Sequence, residues 1–152
     1  MTIVNAICNS FKVEILRGGH NLDTAGATPN GNAFKLALFS SDSASLSKTT
    51  TVYTAPSSAN AVPTNTLEVS QSQTDGGASN SGYTAGGTAL TVTATPVLSG
   101  DTACVKFNDV SFTSASFTAR GCLIYNNTNI SGFNNLRSVC VVNFGADKTV
   151  TS

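Results

Sequence analysis

The sequence carries little charge and contains no long hydrophobic run. Of its 152 residues 11% are charged, and eight basic residues balance eight acidic ones, so the formal net charge is zero. Nucleic acids and anionic membrane surfaces select basic faces, so we expect neither nucleic acid nor membrane as a partner. No apolar run approaches the roughly 18 residues of a membrane-spanning helix. The N-terminus lacks the basic and apolar regions of a signal peptide, which predicts synthesis in a cytoplasm.

Motifs of catalytic residues are also missing from the sequence. The single histidine, His20, follows Gly18-Gly19, and no nucleophile or carboxylate nearby is placed to complete a triad. We expect His20 to be an ordinary surface or turn-stabilising residue. Glu14 and Glu68 stand alone, and the glycine pairs lack the strand and helix context of a phosphate-binding loop. The sequence therefore predicts a protein that is not an enzyme and that binds no cofactor.

The cysteines form no zinc-binding motif, because no two of them are separated by two residues. They are Cys8, Cys104, Cys122 and Cys140. The last three are spaced by 18 residues, which strands and loops of similar length produce, so two of them could lie side by side on neighbouring strands. We expect buried, reduced thiols that pack as small apolar groups and hold no metal, with a disulfide or a metal site as the alternative.

The abundant residues favour strands and turns. Ser, Thr and Asn make up over a third of the chain, and short runs rich in Val, Ile, Phe and Thr recur along it. One segment has the spacing of a helix instead, with an apolar stripe on a 3.6-residue period: Val4, Ile7, Cys8, Phe11 and Ile15. Because Gly18 can end a helix, residues 4–17 are predicted to form one N-terminal helix.

Strands are predicted at 34–39, 52–54, 88–95, 102–107, 117–125 and 139–144. A turn at Ser99-Gly100-Asp101 separates the third strand from the fourth. In the fifth strand one face is predicted to carry Phe117, Ala119, Gly121, Leu123 and Tyr125, and the opposite face carries Arg120. A second turn is predicted at residues 145–148, after the last strand.

These elements predict a mainly β fold in one domain spanning 1–152, a β-sandwich or jelly-roll-like barrel with an N-terminal helix at its edge. Residues 55–81 are predicted to form a long polar loop insertion, since prolines and glycines there argue against a continuous sheet. Long loops often carry function. Candidate partner contacts are therefore predicted mainly in this loop, with others near the N-terminus and on the fifth strand: Thr2, Val4, Gln71, Asp75, Asn80 and Arg120.

Six short phrases occur in order along the chain: NAICNSFK at 5–12, FKLALF at 34–39, GYTAGG at 82–87, FTSASFTARG at 112–121, LIYN at 123–126 and FGADK at 144–148. Together they resemble a family of small virion-associated proteins of tailed phages, cyanophages and marine phages among them. The resemblance covers most of the chain apart from residues 55–81, and it implies a particle protein with no known enzymatic step. The chain departs from the family pattern in a longer polar insertion around 56–80 and in the lack of a recognisable strand after Lys148.

The resemblance predicts a protein located in the virion after synthesis in the host bacterial cytoplasm. The first hypothesis is a capsid cement or decoration protein that binds the major capsid protein or other virion subunits, as a homotrimer at three-fold positions of the shell. The second is a tail or head-fibre adhesion module that contacts the host receptor. A cytoplasmic enzyme is the third, and the missing constellations count against it.

Overall fold

The computed structural model describes residues 3–24, 30–40, 46–53, 68–69 and 82–151. In these residues the fold is mainly β, with one helix and two antiparallel sheets. The helix, α1, spans Asn9–Leu16. The strands are β1 Ala6–Ile7, β2 Phe34–Phe39, β3 Thr88–Leu90, β4 Val92–Ser99, β5 Thr102–Phe107, β6 Phe117–Asn126 and β7 Arg137–Val150. The prediction of a mainly β fold with one N-terminal helix is confirmed, and the sheets formed by these residues do not close into a barrel.

The larger sheet has the strand order β1-β7-β6-β2-β3. Its centre is β6, which pairs antiparallel with β2 on one side and with β7 on the other. The two outer strands, β1 and β3, come from distant parts of the chain and mark the two opposite edges of the sheet. None of the described residues forms a helix long and apolar enough to cross a bilayer.

The predicted helix over 4–17 is wrong in its first part. Residues Ala6 and Ile7 are extended and pair with Val141 and Cys140 of β7, so α1 begins only at Asn9. Cross-strand hydrogen bonding thus prevails over the local helical spacing. The predicted apolar stripe is also wrong, because Ile7 is 48% exposed whereas Cys8 is fully buried.

The predicted turn at residues 145–148 is a bulge within a strand, and the chain does not reverse there. Gly145 takes a φ of +79°, and β7 then continues to Val150. The register shifts across this point, so that residues 144–147 lie opposite Arg120 alone. The expected lack of a strand after Lys148 is therefore wrong, since Lys148 pairs with Ala119.

The same bulge changes which residues of β6 share a face. Phe117 and Ala119 pack in one cluster with Cys122, whereas Leu123 and Tyr125 belong to another. The prediction that all the odd-numbered positions face one way is therefore wrong, because the register break at Arg120 interrupts the alternation.

Buried side chains cover both faces of the five-stranded sheet, because alternate residues of a strand point to opposite sides. Ala37 and Phe39 of β2 belong to one cluster with Leu123, and Leu38 between them belongs to the other with Cys122. Of the predicted strand at 52–54, residues 52 and 53 are described, and there Val52 forms a single bridge with Arg137.

Candidate functional site

The second sheet is a hairpin that leaves the body of the protein. The sequence predicts a single strand over 88–95, but the chain divides at Thr91 into β3 and β4, which belong to different sheets. Asn108 closes the base of the hairpin: its backbone N–H donates to the Thr91 carbonyl at 2.9 Å, and its side-chain Oδ1 accepts from the Thr91 N–H at 2.6 Å. We call residues 92–107 the hairpin arm.

The hairpin arm contacts the rest of the protein mainly at its base, with one further hydrogen bond from Thr95 Oγ1 to Asp23 Oδ1 at 3.2 Å. Val92 is the one buried residue of β4, β5 has none, and Phe107 packs edge-on against Phe34 with ring centroids 5.5 Å apart. Beyond this base the two strands pair with each other and turn at Gly100, whose φ is +60°. The predicted turn at 99–101 is confirmed.

The tip of the hairpin arm exposes apolar side chains on both of its faces. Val97 is 61% exposed, Leu98 is 75% exposed, and Val105 is 37% exposed. Because Val97 and Leu98 are adjacent in a strand, they point to opposite faces. An isolated two-stranded hairpin is marginally stable at best in water. The exposed apolar side chains of this arm therefore indicate that another surface covers it.

The two edges of the hairpin arm differ. Both register breaks of the β4–β5 pair place the extra residue in β4, and Pro96 removes a backbone donor there. Proline and bulges are the devices by which natural sheets block strand addition. Thr102–Phe107 contains neither, and no described strand pairs with its outer edge. The β5 edge is therefore the one suited to main-chain pairing with a partner.

Only two of the six predicted contact residues fall within the described ranges. Val4 is 48% exposed, and its backbone N–H donates to the Leu46 carbonyl at 2.9 Å. Arg120 lies in the bulge opposite residues 144–147, with its Nη1 3.5 Å from Asp147 and a side chain 35% exposed. The other four, Thr2, Gln71, Asp75 and Asn80, lie outside the described residues, as does most of the predicted loop insertion 55–81.

The sequence predicts β5 and the turn, but it does not predict that the hairpin arm is a site. The available signal was the failure of alternation in β4, where Pro96, Val97 and Leu98 follow one another. A strand with one face on a core alternates apolar and polar residues. Three consecutive apolar residues before a turn, in a strand otherwise rich in threonine, indicate a segment that has no core of its own.

His20 was expected to be a surface or a turn-stabilising residue, and its burial rules out the first of these two alternatives. The Asn126 side-chain amide contacts His20 Nδ1 at 3.1 Å, and His20 Nε2 lies 2.8 Å from Glu14 Oε2. With the amide donating to Nδ1, Nε2 carries the proton that it donates to Glu14. Burial lowers the pKa of His20 below its usual value, outweighing the hydrogen bond to Glu14, and the nearby Arg137 guanidinium lowers it further.

Arg137 completes this buried polar cluster. Its guanidinium donates from Nη1 to the Asn134 carbonyl at 2.8 Å and from Nη2 to the Gly19 carbonyl at 2.7 Å, and Nε lies 3.8 Å from Glu14 Oε2. Burial lowers the pKa of Arg137. Both ring nitrogens of His20 are engaged and its side chain is fully buried, so the cluster ties α1 to β6 and β7 and presents no base to a substrate.

Glu68 is the centre of a second buried cluster and does not stand alone as expected. Its carboxylate accepts the Tyr53 hydroxyl at 2.7 Å, the Tyr83 hydroxyl at 2.6 Å and the Gly86 N–H at 2.7 Å. The Tyr125 hydroxyl donates to the Gly86 carbonyl at 2.6 Å. Burial, with the neighbouring Glu68 carboxylate, raises the pKa of Tyr125 to about 12 and also raises those of Tyr53 and Tyr83. These phenols therefore remain protonated donors at neutral pH.

The cysteines are free thiols, three of them on the larger sheet or beside it. Cys122 and Cys140 lie on the adjacent strands β6 and β7, diagonally across the pairs Cys122–Val142 and Ile124–Cys140. Burial raises the pKa of Cys8 and Cys140 to about 11 and that of Cys122 to about 12, so they are unreactive thiols at neutral pH. In the described ranges no group of three or more His, Cys, Asp or Glu residues is placed to hold a metal ion.

An open pocket of about 460 Å³ lies at the β3 edge of the larger sheet. Its lining combines hydroxyl groups with a lysine and an aromatic ring, and includes Lys35, Thr84, Thr88, Ser111, Phe112 and Thr113. Such a lining suits a polar, uncharged or anionic ligand.

Comparisons of the chain with protein-family models, with curated proteins and with solved structures found no match. The resemblance to virion-associated proteins therefore stays a prediction from the sequence phrases.

Proposed function

We propose that this chain is a structural protein of a phage particle, a capsid cement or decoration protein that acts by association and not by catalysis. The observation that supports this proposal is the hairpin arm, which buries almost nothing within its own subunit and exposes apolar residues at its tip. An enzyme has no evident use for such a projection, whereas a protein that bridges neighbouring subunits of a shell needs one.

The arm is suited to a partner that is not strongly charged. Residues 92–99 contain no charged side chain, and the arm carries one acidic and one basic residue, Asp101 in the turn and Lys106 in β5. Binding energy would come from burying Val97, Leu98 and Val105, at about 1.5–3 kcal/mol for each side chain taken fully out of water, together with main-chain pairing along the β5 edge. Such binding depends little on salt, unlike binding through ion pairs.

The proposed partners are the major capsid protein or other virion subunits, together with further copies of this chain in a homotrimer. The proposed location is the virion. In this role the two buried polar clusters are structural, because their hydrogen bonds fix α1 and the loops around 83–87 and 133–137 against the sheet.

Depletion of the protein from the particle tests the proposal. Particles that lack this chain should assemble but burst at a lower temperature or under osmotic shock, with normal adsorption to the host. Adding back the wild-type protein should restore resistance, and adding Leu98→Asp should not. Ser131→Asp is the matched control, since it places the same charge at an exposed loop position away from the arm. Depleted particles that are as robust as complete ones would refute the cement role.

A second candidate is an adhesion module that contacts the host receptor, and the pocket beside Phe112 favours it. Hydroxyl groups and an aromatic ring are the features by which a pocket binds a sugar. On this alternative, depleted particles keep robust heads and fail to adsorb, and Thr113→Arg, which fills the pocket, reproduces that failure. The Leu98→Asp variant should then adsorb normally.

A further inference from the structure

We propose that the open pocket at the β3 edge binds a sugar that carries a negatively charged group, a carboxylate or a phosphate. The proposal goes beyond the cement role, which does not use this pocket, because none of the residues 92–107 of the hairpin arm lines it. It also names the class of ligand for the pocket on which the adhesion alternative depends.

Two segments of the chain form the walls of the pocket. One is the loop 82–87 with the start of β3, and the other is the segment 111–113. The two walls meet at Gly82, where a Cβ atom would lie 2.7 Å from the Ser114 carbonyl oxygen and 2.8 Å from the Ala115 Cα. Gly82 also has a φ of +66°. Only a glycine permits both this close approach and this backbone conformation, so the chain brings the two walls into direct contact.

The aromatic part of the lining is fixed by contacts within the protein. The Tyr83 hydroxyl donates to Glu68 and accepts the Leu38 N–H. The Tyr83 ring packs at a tilt against Phe112 with ring centroids 5.8 Å apart, and Phe112 packs edge-on against Phe117 with centroids 5.4 Å apart. Phe112 is only half-buried. A ring held in this way offers its exposed part to the C–H groups of a sugar at little cost in conformational entropy.

Four hydroxyl side chains share the pocket with this ring, those of Thr84, Thr88, Ser111 and Thr113. Within the described part of the chain, none of these four hydroxyls has a hydrogen-bond partner. A hydroxyl group both donates and accepts, and so do the hydroxyl groups of a sugar. A purely apolar ligand would bury the four groups without partners, which is unfavourable.

Lys35 gives the pocket a positive charge. It lies on β2 directly across from Ala89 of β3, and both residues line the pocket. No described carboxylate forms an ion pair with Lys35, and the described lining contains no acidic residue. Two acidic residues come close along the chain or in space without lining the pocket: Asp109 is exposed, and Glu68 is buried with its oxygens bound by two tyrosines and the Gly86 N–H. An unpaired cation in a concave site attracts an anionic group.

These features together select one class of ligand. The volume of about 460 Å³ lies within the roughly 300–1,000 Å³ of small-molecule sites, so a lone phosphate or sulfate ion would leave most of it empty. A nucleoside triphosphate carries several negative charges, whereas the described lining supplies one cation. A neutral sugar would leave Lys35 without a partner. A sugar with one anionic group uses the ring, the hydroxyls and the lysine at once.

Titration of the full-length chain, followed by two-dimensional NMR, tests the proposal. The charged probes are glucuronate, galacturonate and glucose 6-phosphate, and the neutral probes are glucose and galactose. At least one charged probe should bind about tenfold more tightly than its neutral counterpart, because it adds a charge-assisted hydrogen bond to Lys35. The amide signals that shift should belong to residues 82–89 and 111–113. The probe that binds best distinguishes a carboxylate from a phosphate.

Variants of the lining locate the binding. Lys35→Met should lower the affinity for the charged probes about tenfold and remove their advantage over the neutral ones. Lys48→Met is the matched control, since it removes the same charge at an exposed position that does not line the pocket, and it should bind as the wild type does. Phe112→Leu should weaken the binding of all the probes. Circular dichroism checks that each variant is folded, and Lys35→Gln replaces Lys35→Met if the latter is not.

Three results would overturn the proposal. The first is that none of the probes binds, and the second is that charged and neutral sugars bind equally well. The third is that a folded Lys35 variant keeps the preference for the charged probes, since the anionic group would then lie elsewhere.

Failure of this proposal can be told apart from failure of the proposed function. A chain that protects depleted particles from bursting but binds none of the sugars would reject the sugar site and keep the cement role. A chain that binds charged sugars through Lys35 but leaves depleted particles unprotected would keep the site and reject the cement role.

Discussion

The Glu68 cluster allows the cost of a single hydroxyl group to be worked out by comparing two tyrosines. The Tyr53 hydroxyl donates to Glu68 beside the Gly86 backbone, whereas the Tyr83 hydroxyl donates to Glu68 and also accepts the Leu38 N–H at 3.0 Å. Replacing either residue by phenylalanine removes one oxygen and keeps the ring. The Tyr53 ring stacks on Tyr125 with ring centroids 4.4 Å apart, and the Tyr83 ring packs near Phe117. A phenylalanine at either position keeps these ring contacts.

The expected cost of each change follows from the bonds that are lost. Tyr53→Phe removes one hydrogen bond to a charged group, which is worth about 1.5–3 kcal/mol. Tyr83→Phe removes a similar bond and also leaves the buried Leu38 N–H without this acceptor, which adds about 1–3 kcal/mol. We therefore expect Tyr83→Phe to destabilise the protein by about 3–5 kcal/mol and Tyr53→Phe by about half as much. For a chain of this length, each kcal/mol corresponds to a fall in Tm of about 2–4 °C.

Urea unfolding at pH 7, followed by circular dichroism, measures both free energies. The midpoint should fall for both variants while the m-value stays constant, because the surface exposed on unfolding is unchanged. Tyr125→Phe is a further comparison, since its hydroxyl donates to a neutral carbonyl, that of Gly86. Equal costs for Tyr53→Phe and Tyr83→Phe, or a cost below about 1 kcal/mol for Tyr83→Phe, would refute the assigned hydrogen bonds.

Three further predictions follow from the buried groups. The folded state lowers the pKa of His20, which Glu14 and Arg137 face, so the unfolded chain binds more protons and the free energy of unfolding should fall as the pH drops from 7 to 5. His20→Gln should remove the part of this pH dependence near pH 6.5. An unchanged pH dependence would show that other groups cause it. The pKa values of the buried thiols and phenols are raised in the folded state, so these groups ionise at a lower pH in the unfolded chain than in the folded one. The protein should therefore unfold at a lower urea concentration as the pH rises above about 9–10. Constant stability up to pH 11 would contradict the burial of these groups. Thiol titration should find about four groups per chain in denaturant and only Cys104 reacting quickly in the native protein, and two or fewer in denaturant would indicate a disulfide.

Local patterns were sufficient to predict several elements of the fold. The apolar run at 34–39 predicts β2, and alternation with a glycine turn predicts β5 and the tip of the hairpin. These signals lie within a few residues of the structure that they specify. The mainly β class followed from them without knowledge of how the strands pair.

Elements that depend on distant pairing were missed. Ile7 belongs to a helical pattern by local spacing, and only the presence of β7, more than a hundred residues later, makes it a strand residue. Gly145 has a positive φ in this bulge, and a glycine in a turn can have a positive φ as well. The presence of a glycine at this position therefore does not distinguish a bulge from a turn. Glu68 and Tyr83 are linked through space, and neither residue type nor spacing predicts that the carboxylate is buried.

The candidate site shows the same limit. The composition of residues 92–107 predicts strands and a turn, but whether a hairpin packs on the body or projects from it depends on what lies beside it. Pro96, Val97 and Leu98 gave the one local indication, since consecutive apolar residues cannot all face one side of a strand.

The proposal that this chain is a cement protein of a phage particle is tested most directly by the number of its copies in purified particles. Quantitative gel densitometry or mass spectrometry against the major capsid protein measures it, with a trace of wild-type and Leu98→Asp protein added to depleted particles as the binding control. A cement or decoration protein should be present in hundreds of copies per particle, and only the wild type should rebind. Absence from the particle, or a number in the low tens or fewer, would contradict the cement role.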